Sequence, residues 1–233
     1  MINSISDACK NIPLKKDSDL EFASWFNGAN SMHESVSSGF TDFMYRILTA
    51  DLLKNIGDPS TTSCCEIGFG GGRLLLPASF IFNHAYGIDI HDNFQRVEER
   101  LKSFNRSNFS LHKSENAEKE IPNNNIKFAY SFITFQHFES WSVAEQYIDL
   151  LDKKLTPDGY SILFFGDNRF DDQNVRIETP KNYEDFPMTL YVKESFVVEE
   201  LSKKFEVLDS GITTKRPWLS DSSRQFYIKF RKK

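Results

Sequence analysis

The sequence predicts an α/β fold with a doubly wound, mostly parallel sheet. Short apolar runs, typical of buried strands, alternate with segments whose apolar residues recur every three to four positions, the period of a helix. A glycine-rich stretch directly follows the first strand, where an α/β sheet presents backbone N–H groups to a ligand. Strands that alternate with helices lie parallel in one sheet. The order of the elements therefore indicates the fold class.

The apolar periodicity predicts the individual elements. Helices are expected at residues 20–27, 40–53, 71–82, 93–104, 142–155 and 194–203. The helix at 142–155 begins with a possible capping box, Ser142-x-x-Glu145, and Pro77 is expected to kink the helix at 71–82. Seven strands are expected at residues 63–67, 85–90, 109–112, 126–132, 160–165, 205–213 and 224–230. The last two follow each other without a helix between them.

Composition and charge limit the class of protein. A chain of 233 residues with 39% hydrophobic content fits one globular domain, expected over residues 18–233, while the polar segment 1–17 is expected to be poorly ordered. The net charge is −5, and the only dense basic run is the tail at 229–233, so a nucleic-acid partner is not expected. No signal peptide or membrane span is indicated, and three cysteines do not suggest a disulfide framework. A cytoplasmic location is expected.

The most informative motif joins the first two strands of the core. Strand 63–67 contains Glu66 and leads into alternating glycines at Gly68, Gly70 and Gly72, and the second strand carries Asp89, 17 positions after Gly72. An amide-rich turn with an acidic residue at about this spacing indicates a nucleoside cofactor, because the carboxylate can bind a ribose. A dinucleotide fingerprint requires a small residue at position 73, and this chain has Arg73.

The run Glu66-x-Gly68-x-Gly70-x-Gly72 resembles motif I of the class I S-adenosylmethionine (SAM)-dependent methyltransferases. The resemblance covers roughly residues 45–231. It implies a Rossmann-like methyltransferase fold with an antiparallel strand at the sheet edge, a helical cap at 18–55 and an α/β core at 60–233. It also implies SAM as cofactor and S-adenosyl-L-homocysteine (SAH) as product. The residues expected to bind the cofactor are Glu66, Gly68, Phe69, Gly70, Gly72, Asp89, Ile90, Asn116, Ala117 and Ser131.

Later segments are similar to further blocks of this family. Residues 114–117 resemble the segment that flanks the adenine, although many members have an aspartate where this chain has Asn116. Residues 128–138 resemble the fourth strand and its exit, where the sequence Gln-His is frequent, and Leu155-Thr156-Pro157-Asp158-Gly159 resembles the turn into strand five. An amide can still bond an adenine edge, so Asn116 stays in the predicted site.

His137 is the candidate catalytic residue. It follows strand four, and an imidazole suits proton transfer near neutral pH, so it is either a general base or a residue that shapes the site. His33, Asp167 and Arg169 are candidate substrate-binding residues. No metal site is expected, since the histidines have no ligand spacing with cysteines or carboxylates.

The predicted function is SAM-dependent methyl transfer to a small molecule, with a sugar or natural-product hydroxyl oxygen as the expected acceptor. The chain lacks the Asn/Asp-Pro-Pro block of nucleic-acid amino-methylases after strand four and reads Ser131-Phe132-Ile133-Thr134 there. Two alternatives remain: a non-catalytic SAM-binding subunit or degenerate paralogue, and a NAD-dependent oxidoreductase. The sequence does not indicate the oligomeric state.

Overall fold

Parallel strands carry the sequence motifs, as the alternation of strands and helices predicts. The computed structural model describes residues 18–23, 29–169, 171–179, 188–214 and 222–233. The prediction that residues 1–17 are poorly ordered therefore concerns a segment outside the described residues. The described residues form two compact units, the first ending at Pro122 and the second beginning at Asn123.

The first unit contains three parallel strands in the order β3-β2-β1. These strands are β1 (Ser63–Ile67), β2 (His84–Asp89) and β3 (Phe109–Lys113), and the helices are α1 (Asp19–Ala23), α2 (Met32–Asp42), α3 (Ala50–Ile56), α4 (Leu75–Ile81), α5 (Phe94–Ser103) and α6 (Ser114–Glu120). Ile67 of β1 lies beside Ile88 of β2. The carboxyl ends of these two strands are therefore neighbours, and the glycine stretch and Asp89 emerge side by side.

The helices of the first unit differ from the predicted ones in their boundaries. The helix predicted at 40–53 is divided, because α2 continues into a π-helical turn at Phe43–Ile47 and α3 begins only at Ala50. The helix predicted at 71–82 begins at Leu75, since Gly72 has a left-handed φ of +76° that no helix accommodates. Pro77 therefore lies in the first turn of α4, where its missing N–H removes no helical hydrogen bond, and it requires no kink.

The second unit pairs parallel and antiparallel strands. Its strands are β4 (Ile126–Ser131), β5 (Leu155–Asp167), β6 (Val175–Ile177), β7 (Leu190–Val192), β8 (Phe205–Thr214) and β9 (Ser222–Lys232), and its helices are α7 (Trp141–Lys154) and α8 (Glu194–Ser202). β5 lies parallel to β4 and β7, whereas β9 runs antiparallel to both β5 and β8. The α/β class, the mostly parallel strands and the antiparallel edge are therefore confirmed.

Two predictions for the second unit are wrong. The capping box at Ser142 does not form: α7 begins at Trp141 with Ser140 as N-cap, and the Ser140 and Ser142 hydroxyls bond each other at 2.8 Å. The seven predicted strands omit the short antiparallel pair β6 and β7, which lies in the stretch after β5. Strands of three residues are too short to produce a periodic pattern. The described residues thus contain nine strands where seven were predicted.

Hydrophobic side chains fill both units. The first is packed around Phe43, Leu75, Val97 and Leu101, and the second around aromatic residues that include Phe128, Tyr130, Phe164, Phe165 and Phe226, all fully buried. Among the described helices, none is long and apolar enough to cross a membrane. In the same part of the chain, no cluster of three or more His, Cys, Asp or Glu residues could hold a metal ion.

Candidate functional site

The glycine turn after β1 depends on three left-handed residues. Gly68, Gly70 and Gly72 have φ angles of +80°, +50° and +76°. An L-residue in this region costs about 1 kcal/mol or more, because its Cβ approaches the following carbonyl oxygen. The alternating glycines of the sequence motif are therefore required by the backbone itself.

Two positions in the turn also allow close approach of neighbouring segments. A Cβ at Gly71 would lie 2.1 Å from the carbonyl oxygen of Phe22 in α1, and a Cβ at Gly72 would lie 2.8 Å from Cγ1 of Val97 in α5. Both distances are far below van der Waals contact. Gly71 and Gly72 thus serve packing against α1 and α5, and Gly68 and Gly70 form the part of the turn next to β2.

Arg73 directs its side chain towards the N-terminal helices. Its Nη1 donates to Oδ2 of Asp42 at 2.7 Å, and the same carboxylate pairs with Arg46. Its carbonyl oxygen would lie 2.5 Å from a Cβ added to Gly39, so α2 packs directly on this residue. Arg73 therefore fixes α2 beside the turn, and the small residue that a dinucleotide fingerprint places here is absent.

Asp89, at the end of β2, is bonded to the glycine turn. Its Oδ2 accepts a hydrogen bond from the Gly70 N–H at 2.8 Å, and its Oδ1 accepts from the Ile90 N–H at 2.7 Å. Oδ1 also accepts from the His91 N–H at 3.4 Å. Each carboxylate oxygen has two lone pairs, so Oδ2 can accept a further donor. The two halves of the sequence motif thus meet through one hydrogen bond, which fixes the orientation of this carboxylate.

His91, which follows β2, is bonded to the glycine turn although it was not among the predicted cofactor residues. It is fully buried; its Nε2 lies 2.9 Å from the Gly70 carbonyl oxygen, and its Nδ1 lies 3.1 Å from the Asn93 backbone nitrogen. A carbonyl only accepts and a backbone N–H only donates, so Nε2 carries the proton. The ring also packs edge-on against Phe69 and Phe94. The signal in the sequence for this residue was its position, two residues after Asp89.

The remaining cofactor candidates of the first unit differ in exposure. Glu66 is buried, with 2% of its surface exposed, beside Cys64 and Cys65. Burial, together with the charge of Glu66, raises the pKa of both thiols well above the usual range. Ala117 is buried in α6, whereas Asn116 is exposed in the same helix.

One candidate residue of the second unit, His137, belongs to a buried chain of hydrogen bonds. Ser131 is fully buried at the end of β4, and Gln136 and His137 form a 3₁₀ turn after it. Nε2 of Gln136 lies 3.1 Å from Nε2 of His137, while Oε1 of Gln136 accepts from the Gln225 side chain. An amide nitrogen only donates, so Nε2 of His137 accepts, and the neutral imidazole carries its proton on Nδ1.

Two of the predicted substrate residues pair with each other. Arg169 donates through Nε to Oδ2 of Asp167 at 2.6 Å, just after β5. In this arrangement each of the two charges is compensated by the other, so a substrate group would have to compete with the ion pair. His33 lies in the first unit, exposed on the first turn of α2.

Comparison with known proteins identifies the fold. Neither a protein-family model nor a curated protein matches the sequence. Solved structures do match. The magnesium protoporphyrin IX methyltransferase ChlM from Synechocystis PCC 6803, with bound SAH, has a TM-score of 0.63 and 14% identity, covering 98% of both chains. The N-methyltransferase NodS from Bradyrhizobium japonicum WM9, in complex with SAH, has a TM-score of 0.61 and 11% identity, covering 97% of this chain and 98% of NodS.

A third match is named for a reaction other than methyl transfer. The [4+2]-cyclase SpnF has a TM-score of 0.67 and 12% identity, covering 100% of this chain and 97% of that protein. Identities this low describe the architecture alone. This chain therefore has the Rossmann-like fold of the class I SAM-dependent methyltransferases.

Proposed function

We propose that this protein is a SAM-dependent methyltransferase acting on a small molecule. The observation that carries the proposal is the joined motif, in which three left-handed glycines form the turn and Asp89 binds the Gly70 N–H. Such a turn suits a ligand with a carboxylate and a ribose, because backbone amides favour the anion and a side-chain carboxylate accepts from ribose hydroxyls. ChlM and NodS, which share the fold, were both solved with SAH.

The proposed cofactor residues of the first unit fit the parts of SAM. Gly68, Phe69 and Gly70 supply the turn, Asp89 and Ile90 the ribose side, and Asn116 and Ala117 the adenine side. Glu66 is proposed to act on the α-ammonium group, directly or through water. When bound, SAM supplies a methyl group on a sulfonium, which is already a good leaving group. These residues then orient the donor and exclude water, which contributes several kcal/mol to the rate enhancement.

Residues for the acceptor are also proposed, and Ser131 is proposed as a further cofactor residue. A hydroxyl oxygen is the proposed acceptor, and Asp167, Arg169 and His33 are the proposed substrate contacts. A general base is needed only when the acceptor is protonated. Because Nε2 of His137 already accepts from Gln136, taking a proton there requires this hydrogen bond to break. The contact favours a role for His137 in shaping the site over a role as the base.

The experiment that tests the cofactor is titration calorimetry of the purified protein with SAH, with NADH as control ligand. One-to-one binding of SAH in the micromolar range, and none of NADH, is the expected result. A folded sample that does not bind SAH would contradict the proposal, and binding of NADH would revive the NAD-dependent alternative.

A second candidate function is SAM binding without methyl transfer. The likeness to SpnF, which is named as a [4+2]-cyclase, supports this candidate. The discriminating measurement is SAH formation from labelled SAM over a panel of sugar and natural-product hydroxyls. Tight SAH binding with no turnover of any acceptor would favour the second candidate.

A further inference from the structure

Arg100 links three segments of the first unit through one buried guanidinium. Its Nη1 donates to the carbonyl oxygens of Gly71 at 2.7 Å and Ala23 at 3.1 Å, and its Nη2 donates to the Ser35 hydroxyl at 3.4 Å. The residue is 9% exposed. The glycine turn, α1 and α2 therefore meet at one positive charge.

This charge has no anionic partner among the described residues. The acceptors of Arg100 are two carbonyls and a hydroxyl, and no carboxylate in the described part of the chain lies within 4.0 Å of it. Its Nε is buried without a hydrogen-bond partner there. Burying a cation is costly unless a counter-charge is supplied.

Arg100 nevertheless remains charged at neutral pH. Burial, with a smaller contribution from the charge of Arg73, lowers the pKa of Arg100 to about 10. Almost all molecules therefore carry the proton at pH 7. A buried charge is also screened less by salt than a surface charge, so its effect extends to a ligand held by the same turn.

We propose that Arg100 is a specificity-determining residue, whose positive charge behind Gly71 makes the turn selective for ligands that carry a carboxylate. The inference rests on the proposed function, because SAM and SAH carry an amino-acid carboxylate. Arg100 acts through the turn and does not need to touch the ligand. The ligand carboxylate supplies the counter-charge that the described residues do not provide.

Two ligands separate an effect on the amino-acid group from an effect on the nucleoside. SAH has the carboxylate, and 5′-methylthioadenosine has the same nucleoside without an amino-acid group. The readout is the ratio of their dissociation constants, measured by calorimetry at low ionic strength. In R100Q, which keeps a side-chain donor and loses the charge, the preference for SAH is expected to fall about tenfold. In R100K, which keeps the charge, the ratio is expected to stay within about threefold of wild type.

The matched control is R106Q. Arg106 also donates to a backbone carbonyl, that of Ser79 at 2.7 Å, and belongs to the same unit, but its guanidinium bonds Ser79 and Asn108 and not the turn. Its substitution is expected to leave the ratio unchanged.

Each outcome decides the inference. Equal weakening of both ligands in R100Q would mean that Arg100 only maintains the turn, and would overturn the proposal. If R100Q does not fold, a collapsed ratio in folded R100K would overturn it, and a preserved ratio would support it. If the wild-type protein does not bind SAH, the proposed function fails as well. Strong SAH binding by wild type with an unchanged ratio in R100Q overturns this inference alone.

Discussion

The carboxylate of Asp89 accepts a hydrogen bond from the backbone N–H of Gly70 at 2.8 Å, and the Gly70 carbonyl bonds His91 at 2.9 Å. Both polar groups of Gly70 are therefore held by side chains, one from the last residue of β2 and one from two residues further on. The left-handed conformation of Gly70 directs the two groups to these partners. The turn is thus fixed from its neighbouring strand, which is the preorganisation that a cofactor site requires.

Replacement of Asp89 by alanine is expected to weaken SAH binding at least about tenfold, roughly 1.4 kcal/mol, through loss of a charge-assisted contact and of the bond to Gly70. The matched control is Asp92→Ala, which removes an exposed carboxylate paired with Lys113. Calorimetry on both folded variants checks the result. An affinity for SAH equal to that of wild type in Asp89→Ala would remove this residue from the site.

A methyl group at Gly71 is expected to disturb the glycine turn. The added Cβ would meet the Phe22 carbonyl at 2.1 Å, so α1 or the turn must move. We expect Gly71→Ala to destabilise the protein by about 1–3 kcal/mol and to lower its SAH affinity. Gly57→Ala is the control. Its φ of +81° makes alanine strained there as well, but its Cβ meets no atom within 4 Å.

Urea unfolding and SAH titration of the two glycine variants separate the effects. Both variants lose stability, and only Gly71→Ala loses SAH affinity. Equal SAH affinities in the two variants would show that contact between α1 and the turn does not matter for binding.

His91 and His137 are expected to carry their protons on opposite nitrogens. The Gly70 carbonyl requires Nε2–H in His91, whereas the Gln136 amide requires an unprotonated Nε2 in His137. Nitrogen-15 NMR above about pH 8, where imidazole is neutral, distinguishes the two tautomers. Spectra of His91→Gln and His137→Gln assign the signals. The same tautomer at both positions would contradict one of the two hydrogen bonds.

The role of His137 is tested by the pH dependence of turnover, once an acceptor is known. If His137 shapes the site, His137→Gln slows the reaction and keeps the pH profile of wild type. If His137 is the general base, the variant loses the part of the pH–rate profile in which the rate rises as the imidazole loses its proton. Loss of that pH dependence in the variant would therefore favour the general base over a shaping role.

Some features of the fold and of the candidate site could be predicted from the sequence, and others could not. The fold class was predictable because apolar periodicity and the order of elements are local features, and Gly68, Gly70 and Gly72 were identifiable because only glycine adopts their φ angles at no cost. The role of Arg100 was not predictable. It depends on Ala23 and Gly71, 77 and 29 positions away in the chain, and no pattern in α5 marks that contact.

Element boundaries failed for physical reasons as well. The helix after the turn was predicted to begin at Gly71, because apolar periodicity ignores the left-handed φ of Gly72. The capping box was predicted from the Ser-x-x-Glu spacing, which also occurs within a helix. Here α7 begins at Trp141, so Ser142 is already helical and cannot be the N-cap. The Gln225–Gln136–His137 chain joins the last strand to the exit of β4, a contact across 89 positions.

The two cysteines of β1 are expected to be unreactive in the folded protein. Burial, and the charge of Glu66, raise the pKa of both thiols, so almost no thiolate forms near neutral pH. A Cys9→Ser variant isolates them, because Cys9 is the third cysteine of the chain. A thiol reagent at pH 8 should label neither residue in the native state and both in denaturant. Rapid native labelling would mean that β1 opens locally.

His84 is expected to make stability fall as the pH decreases below 6.5. Burial first, and the charge of His112 second, lower the pKa of His84 from its usual 6.5. Between the folded pKa and 6.5 the unfolded chain binds more protons, so the free energy of unfolding decreases with decreasing pH. His84→Gln keeps a donor for Ser110, which His84 contacts at 3.0 Å, and removes the titration.

The measurement is urea unfolding between about pH 7 and pH 5, where an imidazole changes its charge. His84→Gln is expected to give a flatter dependence of the unfolding free energy on pH than wild type. The control, His33→Gln, changes an exposed histidine on α2 and should retain the wild-type slope. A slope in His84→Gln as steep as that of wild type would mean that protonation of His84 costs the folded state nothing. The hydrogen bond to Ser110 would then have to survive in the charged form, with His84 donating to the hydroxyl oxygen.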